Sequence, residues 1–439
     1  MQNINLWQLD ELDSAKRQSL LMRTEADLSL YIDQVRPIIE RVKKEGDLAL
    51  IEYTKKFDGA SLSLETIQVT EQEFLDAQAQ VDEDTLAAIK YASNNIRQYH
   101  EAQKPQEMVM QEVRSGSYVG EKYLAIPSVA CYVPRGKGSF PSVLMMNAIP
   151  AVVAGVEQVV ILTPPGPDGR VDAATLVAAK ENGINQVYKC GGAQAVAAVA
   201  YGTDTLPKCS KIVGPGSPWM IAAKQVLASL IDPGIPAGPS ESIVFADDSV
   251  DGALAAMDLL IEAEHGPDSS AYLVTTSSRV AQEALSAIPQ HWLAMSELRV
   301  EYSKTVLTGP MGGIILADNI EQAFDFINDY APEHLQILSQ DAWKYLGKIR
   351  NAGEVLLGQH SPSTLGNFVL GCNAVLPTSG AAATVSPLSV MDFMKFMSVA
   401  YVTQCGYPEM AKHAHVLASY EGFDAHANAV SDKRNSLIK

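Results

Sequence analysis

The sequence predicts an α/β protein with parallel sheets in two domains, and three features predict it. From about residue 128, short apolar runs alternate with helical stretches, as in parallel strands joined by crossover helices. The alternation runs through more strands than one open sheet usually needs. It breaks once, at the turn-rich DPGIPAGPSE of residues 232–241, so two sheet domains meet near residues 236–242.

The elements follow in order. Residues 24–57 place apolar side chains at helical spacing and stop at Gly59, and EQEFLDAQAQVDEDTLAAIKYASNNIRQYHEAQ reads as further helix. VACYVP and QVVILTPP read as strands, AATLVAAKENG as a helix stopped by Gly183, and NQVYKC as a strand. GAQAVAAVAYG is helix, CSKIVGPG strand and PWMIAAKQVLASL helix. After the break come SIVFADD, GALAAMDLLIEAEHG, AYLVTTS, SRVAQEALSAI, GGIILAD and NIEQAFDFINDYAPEH, again strand and helix in turn. The last fifty residues read as helical. No internal repeat or low-complexity segment stands out.

Charge and composition narrow the partners. The chain carries 51 acidic and 33 basic residues, a formal net charge of −18, with no basic tract. That argues against nucleic acid and against anionic membrane surfaces. The most apolar stretch, residues 143–165, is broken by Asn147, Pro150 and Glu157, and reads as a helix running into a buried strand. The N-terminus has no apolar signal core, and five scattered cysteines never form CxxC. The expected setting is the reducing cytoplasm.

The candidate chemistry lies at strand and helix ends. IEAEHG closes a helix with Glu262 and His265 three residues apart, on one face of a turn. A carboxylate is disfavoured at a helix C-terminus, so this pair is half of a candidate metal site. YAPEHLQIL sets Glu333 beside His334 just before a strand, a pairing suited to acid–base work but also to a polar helix end. YEGFDAHANAVSDK offers Glu421 and His426. His100, His291, His360, His413 and His415 read as structural or solvated. The dinucleotide fingerprint GxGxxG is absent. Three strand–Gly–helix junctions, YVPRGKGSF, KCGGAQAVA and KIVGPGSPW, each read alone as a turn or an anion cradle; together they suggest one ligand crevice.

Taken in order, YVPRG, GGAQAVAAVA, GPG, PAGPSE, EAEHGPDS, APEHL, GNFVLGCNAVLPT and HANAV resemble the histidinol dehydrogenase family over nearly the whole chain. The resemblance implies two incomplete Rossmann-like parallel-sheet domains with an N-terminal helical arm and a C-terminal helical tail. On this reading residues 1–23 are the arm and residues 24–131 and 240–388 form the first domain. Residues 132–239 form an inserted second domain, and residues 389–439 are a tail completing the partner's site. It implies a homodimer with shared sites, one Zn²⁺ per subunit, and four-electron oxidation by two NAD of an alcohol to a carboxylic acid through an aldehyde, L-histidinol to L-histidine or a related polar primary alcohol. By position, Glu333 matches the general base and His334 the acid–base and substrate-contacting histidine. Glu262, His265, Asn367 and His426 match the metal ligands. Tyr132, Gln194 and Ser217 match the NAD contacts, and Ser240, Ala374 and Glu421 the substrate contacts.

Four positions depart from the family. Glu262 stands for a glutamine ligand, Asn367 for an aspartate ligand, Ser217 for an asparagine, and Ala374 for a substrate-binding histidine in GTNH, here GCNA. The first two exchanges together conserve the ligand charge, which fits a retained and rearranged metal site. Ala374 removes a polar contact, which fits a paralogue acting on another amino alcohol or polyol. A metal-dependent hydrolase and an inactive ligand-binding relative are the competing readings; the first lacks HExxH, and the second is opposed by the intact Glu333, His334, His265 and His426.

Overall fold

The computed structural model describes residues 4–22, 28–136 and 138–437. Parts of the expected arm (residues 1–3 and 23), residues 24–27, Lys137 and residues 438–439 lie outside the described residues. Two compact units emerge: residues 1–103 with 126–393, and residues 104–125 with 394–439.

The first unit holds two parallel sheets. The six-stranded sheet runs Leu6–Gln8, Gly312–Leu316, Ser270–Thr275, Glu241–Ala246, His334–Leu338, Glu354–Leu357, every neighbour parallel. The four-stranded sheet runs Val187–Lys189, Gln158–Thr163, Ser128–Tyr132, Lys211–Val213, also parallel. Glu241–Ala246 and Ser270–Thr275 are buried along their whole length, as strands covered on both faces must be, which is why they read as unbroken apolar runs.

The helix Gly252–Ala263 shows how sequence becomes packing. Asp251 caps it by accepting from the Ala253 amide. Ala255, Ala256, Leu259, Leu260 and Ala263 recur at helical spacing and pack on Val244, Leu273 and Ile314. Burying each leucine is worth about 1.5–3 kcal/mol. This packing fixes where the helix C-terminus, and with it Glu262, meets the sheet.

Three expectations differ from the structure. Helices Ser29–Glu45 and Asp47–Asp58 pack against Gly192–Tyr201 within the core of the four-stranded sheet, and Glu83–Gln103 packs on Pro141–Ala154. The expected grouping sets residues 24–131 with residues 240–388; the contacts place these helices on the four-stranded sheet. Periodicity gives a helix its apolar face but not the sheet that face covers. Second, the boundary at residues 131/132 falls inside the strand Ser128–Tyr132, and the arm contributes an edge strand, Leu6–Gln8. Third, the tail is not wholly helical. Met394–Val402 is a strand, paired antiparallel with Ser117–Ala125, which pairs in turn with Met108–Arg114. A strand whose partner lies so far back in the chain leaves little local signature.

The second unit consists of this three-stranded sheet and the helices Tyr407–Tyr420, Asp424–Ala429 and Asp432–Asn435. Among the described residues no helix is long and apolar enough to cross a membrane.

Candidate active site

The site grows from the N-terminal edge of the six-stranded sheet. The helix Ile320–Tyr330 ends on Ala331, whose φ of 50° lies in the left-handed region that a residue with a Cβ seldom adopts. Pro332 follows, and the chain enters the strand His334–Leu338 at once. Glu333 and His334 are thereby held at the end of a strand between Glu241–Ala246 and Glu354–Leu357, with 8% and 3% of their surfaces exposed.

Every polar atom of the pair has company. The Glu241 amide donates to Glu333 Oε2 at 3.0 Å. His334 Nε2 lies 3.9 Å from Glu333 Oε1, and His334 Nδ1 lies 3.0 Å from Glu354 Oε2. Cys372 Sγ donates to the other Glu354 oxygen at 2.8 Å. Burial pushes the Glu333 carboxyl up to about 8, against the pull of the adjacent imidazole. Burial pushes the His334 imidazolium down, but Glu262, Glu333 and Glu354 outweigh it and raise the group to about 10. A buried carboxyl and a buried imidazole side by side can exchange a proton with a bound molecule.

A second cluster adjoins this pair. Glu262, 1% exposed, ends its helix with Oε1 accepting from Asn367 Nδ2 at 2.8 Å and Oε2 lying 3.1 Å from His265 Nδ1. His265 Nδ1 is also 3.1 Å from the Ile261 carbonyl, so a hydrogen on Nδ1 serves both and leaves Nε2 available. Burial disfavours the Glu262 anion, yet His265, His334 and the Asn367 amide hold it below the usual carboxylate range. A buried, ionised carboxylate flanked by an imidazole and a side-chain amide is a donor set that fits a divalent cation. Among the described residues no three His, Cys, Asp or Glu side chains of one chain form a metal cluster. The expected set counts Asn367 and, by resemblance, a histidine of a partner.

The crevice expected from the Gly-rich junctions lies at the C-terminal edge of the four-stranded sheet. Tyr132, Gln194 and Ser217 line one cleft of about 1160 Å³, with Phe57 and Trp219 as aromatic walls. Ser217 precedes the helix Pro218–Val226, and Gly192, at φ 60°, opens the helix Gly192–Tyr201. The Gly192 amide donates to Tyr132 Oη at 3.4 Å. Gly214 has φ 109°, and a Cβ there would come within 2.3 Å of the Tyr132 carbonyl oxygen, so only glycine fits the GPG turn. A helix N-terminus and an open turn at a parallel-sheet C-terminal edge can cradle a dinucleotide.

The remaining candidates are placed as follows. Ser240 is half-buried just before the strand Glu241–Ala246, and its carbonyl accepts from the Ser270 amide. Ala374 is half-buried beside Asn373, whose amide donates to the Met146 carbonyl at 2.7 Å. Glu421 and His426 belong to the second unit and are exposed. His100, buried, meets Gln103 Oε1 at 2.8 Å, and His291 meets the Ala253 carbonyl at 2.9 Å. Sequence reasoning missed Glu354 and Cys372. The available signal was a single charge opening the otherwise apolar run EVLL.

A family model described as histidinol dehydrogenase matches residues 21–434. A relative named "Histidinol dehydrogenase homolog 2" from Mesorhizobium japonicum is 59% identical, covering 100% of both chains. One named "Histidinol dehydrogenase" from Synechocystis sp. is 44% identical, covering 98% of this chain and 99% of its own. The crystal structure of histidinol dehydrogenase from Elizabethkingia anophelis superposes with a TM-score of 0.93 at 33% identity, over 100% of this chain and 99% of that one.

Proposed function

The chain belongs to the histidinol dehydrogenase family of NAD-dependent, zinc-binding oxidoreductases, and from that premise we propose that it oxidises a polar primary alcohol to a carboxylic acid through an aldehyde. The observation that carries this reading is the dry Glu333–His334 pair set beside the Glu262–His265–Asn367 donors at one sheet edge.

The division of labour follows from the contacts. His334 takes the alcohol proton on Nε2, because Nδ1 is engaged by Glu354. Glu333, held near neutrality by burial, draws a proton from the water that adds to the aldehyde. Glu262, His265 and Asn367 would hold zinc, and Tyr132, Gln194 and Ser217 would line the dinucleotide cleft. When bound, zinc supplies a Lewis acid that orients and polarises the substrate, and NAD supplies the hydride acceptor. A cation held at Glu262 would offset one of the three carboxylates that favour the His334 imidazolium.

The alcohol need not be L-histidinol. Ala374 offers no imidazole to the substrate, and the relative at 59% identity is named a homolog where the one at 44% carries the family name. Supplying NAD, zinc and a panel of amino alcohols and polyols, and following nicotinamide absorbance, tests this directly. We expect turnover with a small polar alcohol and weak turnover with L-histidinol. Ala374→His should move preference back toward histidinol by about 1–3 kcal/mol of transition-state binding. Equal kcat/KM ratios for the wild type and this variant across the panel would remove Ala374 from the pocket.

The proposal includes a partner. Glu421 and His426 of the partner subunit complete each site, which fits their exposure and that of Met397, Tyr401, Leu417 and Tyr420 in the same unit. His265→Ala and His426→Ala homodimers should each bind zinc weakly. Refolding the two together should restore zinc binding and activity in the mixed dimers, whereas sites closed within one chain would restore neither.

A further inference from the structure

Glu354 is a buried carboxylate with two dedicated donors in a strand that would otherwise be apolar. Its Cα is the register partner of His334 across a parallel pair, so sheet pairing itself sets the two side chains alongside. Oε2 faces His334 Nδ1 at 3.0 Å and Oε1 accepts from Cys372 Sγ at 2.8 Å. Glu354 is 8% exposed and His334 3%. The helix Ser363–Phe368 comes close to it at Gly366, where a Cβ would lie within 2.6 Å of Glu354 Oε1. Among the described residues no lysine or arginine pairs with Glu354; its ion partner is His334. A buried ion is costly, and an apolar residue of similar volume would serve strand packing as well or better. The cost therefore points to a role in orienting the histidine.

We propose that Glu354 is the positioning residue for His334, holding the hydrogen on Nδ1 so that Nε2 is the nitrogen offered to the alcohol. Cys372 completes the device by fixing the second carboxylate oxygen, so that the carboxylate cannot rotate away. The inference rests on the dehydrogenase reading for its kinetic consequence, though not for the tautomer itself. A carboxylate can only accept from Nδ1. An amide at the same place can donate to Nδ1, which moves the ring hydrogen to Nε2 and removes the acceptor.

Glu354→Gln, Glu354→Ala and Glu354→Asp test this in the zinc-loaded, full-length protein. Glu354→Gln should lower kcat by about 10²–10⁴ while KM for the alcohol and for NAD changes at most a few-fold. Glu354→Asp should recover part of the loss. The second readout is the long-range nitrogen–proton spectrum of protein labelled with ¹⁵N-histidine, with His334 assigned by its absence in His334→Asn. In the wild type Nδ1 should keep its hydrogen at every pH; in Glu354→Gln the neutral ring should carry it on Nε2. An unchanged tautomer in Glu354→Gln overturns the proposal. So does an equal loss in Glu354→Gln and Glu354→Ala accompanied by lost thermal stability and zinc content, which would make Glu354 a packing residue. If the wild type reduces no NAD with any alcohol, it is the dehydrogenase reading that fails, and the spectrum still decides the tautomer.

Discussion

Replacing His334 with Asn is expected to lower kcat by about 10²–10⁴, with KM for NAD little changed. On the proposed reading the imidazole takes the alcohol proton, and it stands in a buried network with Glu333 and Glu354. Asparagine keeps polarity and approximate volume but has no titratable nitrogen. Glu333→Gln should act differently. It leaves His334 in place and removes the group that draws a proton from water, so aldehyde oxidation should fall more than alcohol oxidation. The pH dependence separates the two variants. Glu333 acts deprotonated, and burial raises it to about 8, so wild-type kcat/KM should climb as pH rises through about 8. That limb should vanish in Glu333→Gln. A retained limb would place the titrating group elsewhere.

The second large effect concerns Glu262 and Asn367, proposed as an exchanged pair of ligands. Glu262 and Asn367 meet through one N–H···O bond of 2.8 Å, in which the amide donates and the carboxylate accepts. Asn367→Asp alone would set two carboxylates against each other with no donor between them. Glu262→Gln alone would keep a bond but leave the donor set without a carboxylate. The double change restores amide opposite carboxylate with the roles exchanged. Each single variant should therefore lose zinc affinity, and the double should regain much of it. Contacting residues in one network couple by about 0.5–3 kcal/mol. Zinc titration of the four proteins measures that coupling, and the thermal stability of the metal-free forms reads the hydrogen bond separately. Additive losses in both would mean that the two residues do not share a ligand site.

How much of this the sequence disclosed depends on range. Glu333 and His334 are adjacent, and a helix-to-strand transition around them is a local pattern, so their place at a strand end was legible. Glu262 with His265 was legible for the same reason, being one turn of one helix. The bond between Glu262 and Asn367 joins residues 105 apart, and only a resemblance to relatives put them together. Glu354 escaped because its meaning comes from register with His334, a property of two strands and not of either alone. The strand Met394–Val402 escaped because its partner, Ser117–Ala125, lies in another part of the chain. The helices between Ser29 and Gln103 are legible as helices, but an apolar stripe does not name the element it packs against.

The central claim is that one site carries an alcohol through an aldehyde to an acid with NAD as acceptor. The measurement that tests it most directly is the ratio of NADH formed to alcohol consumed by the purified zinc-loaded protein, with the products identified. Two NADH should form for each alcohol consumed, with the carboxylic acid as product and no accumulated aldehyde. One NADH with free aldehyde, or acid formed without any NADH, would contradict it.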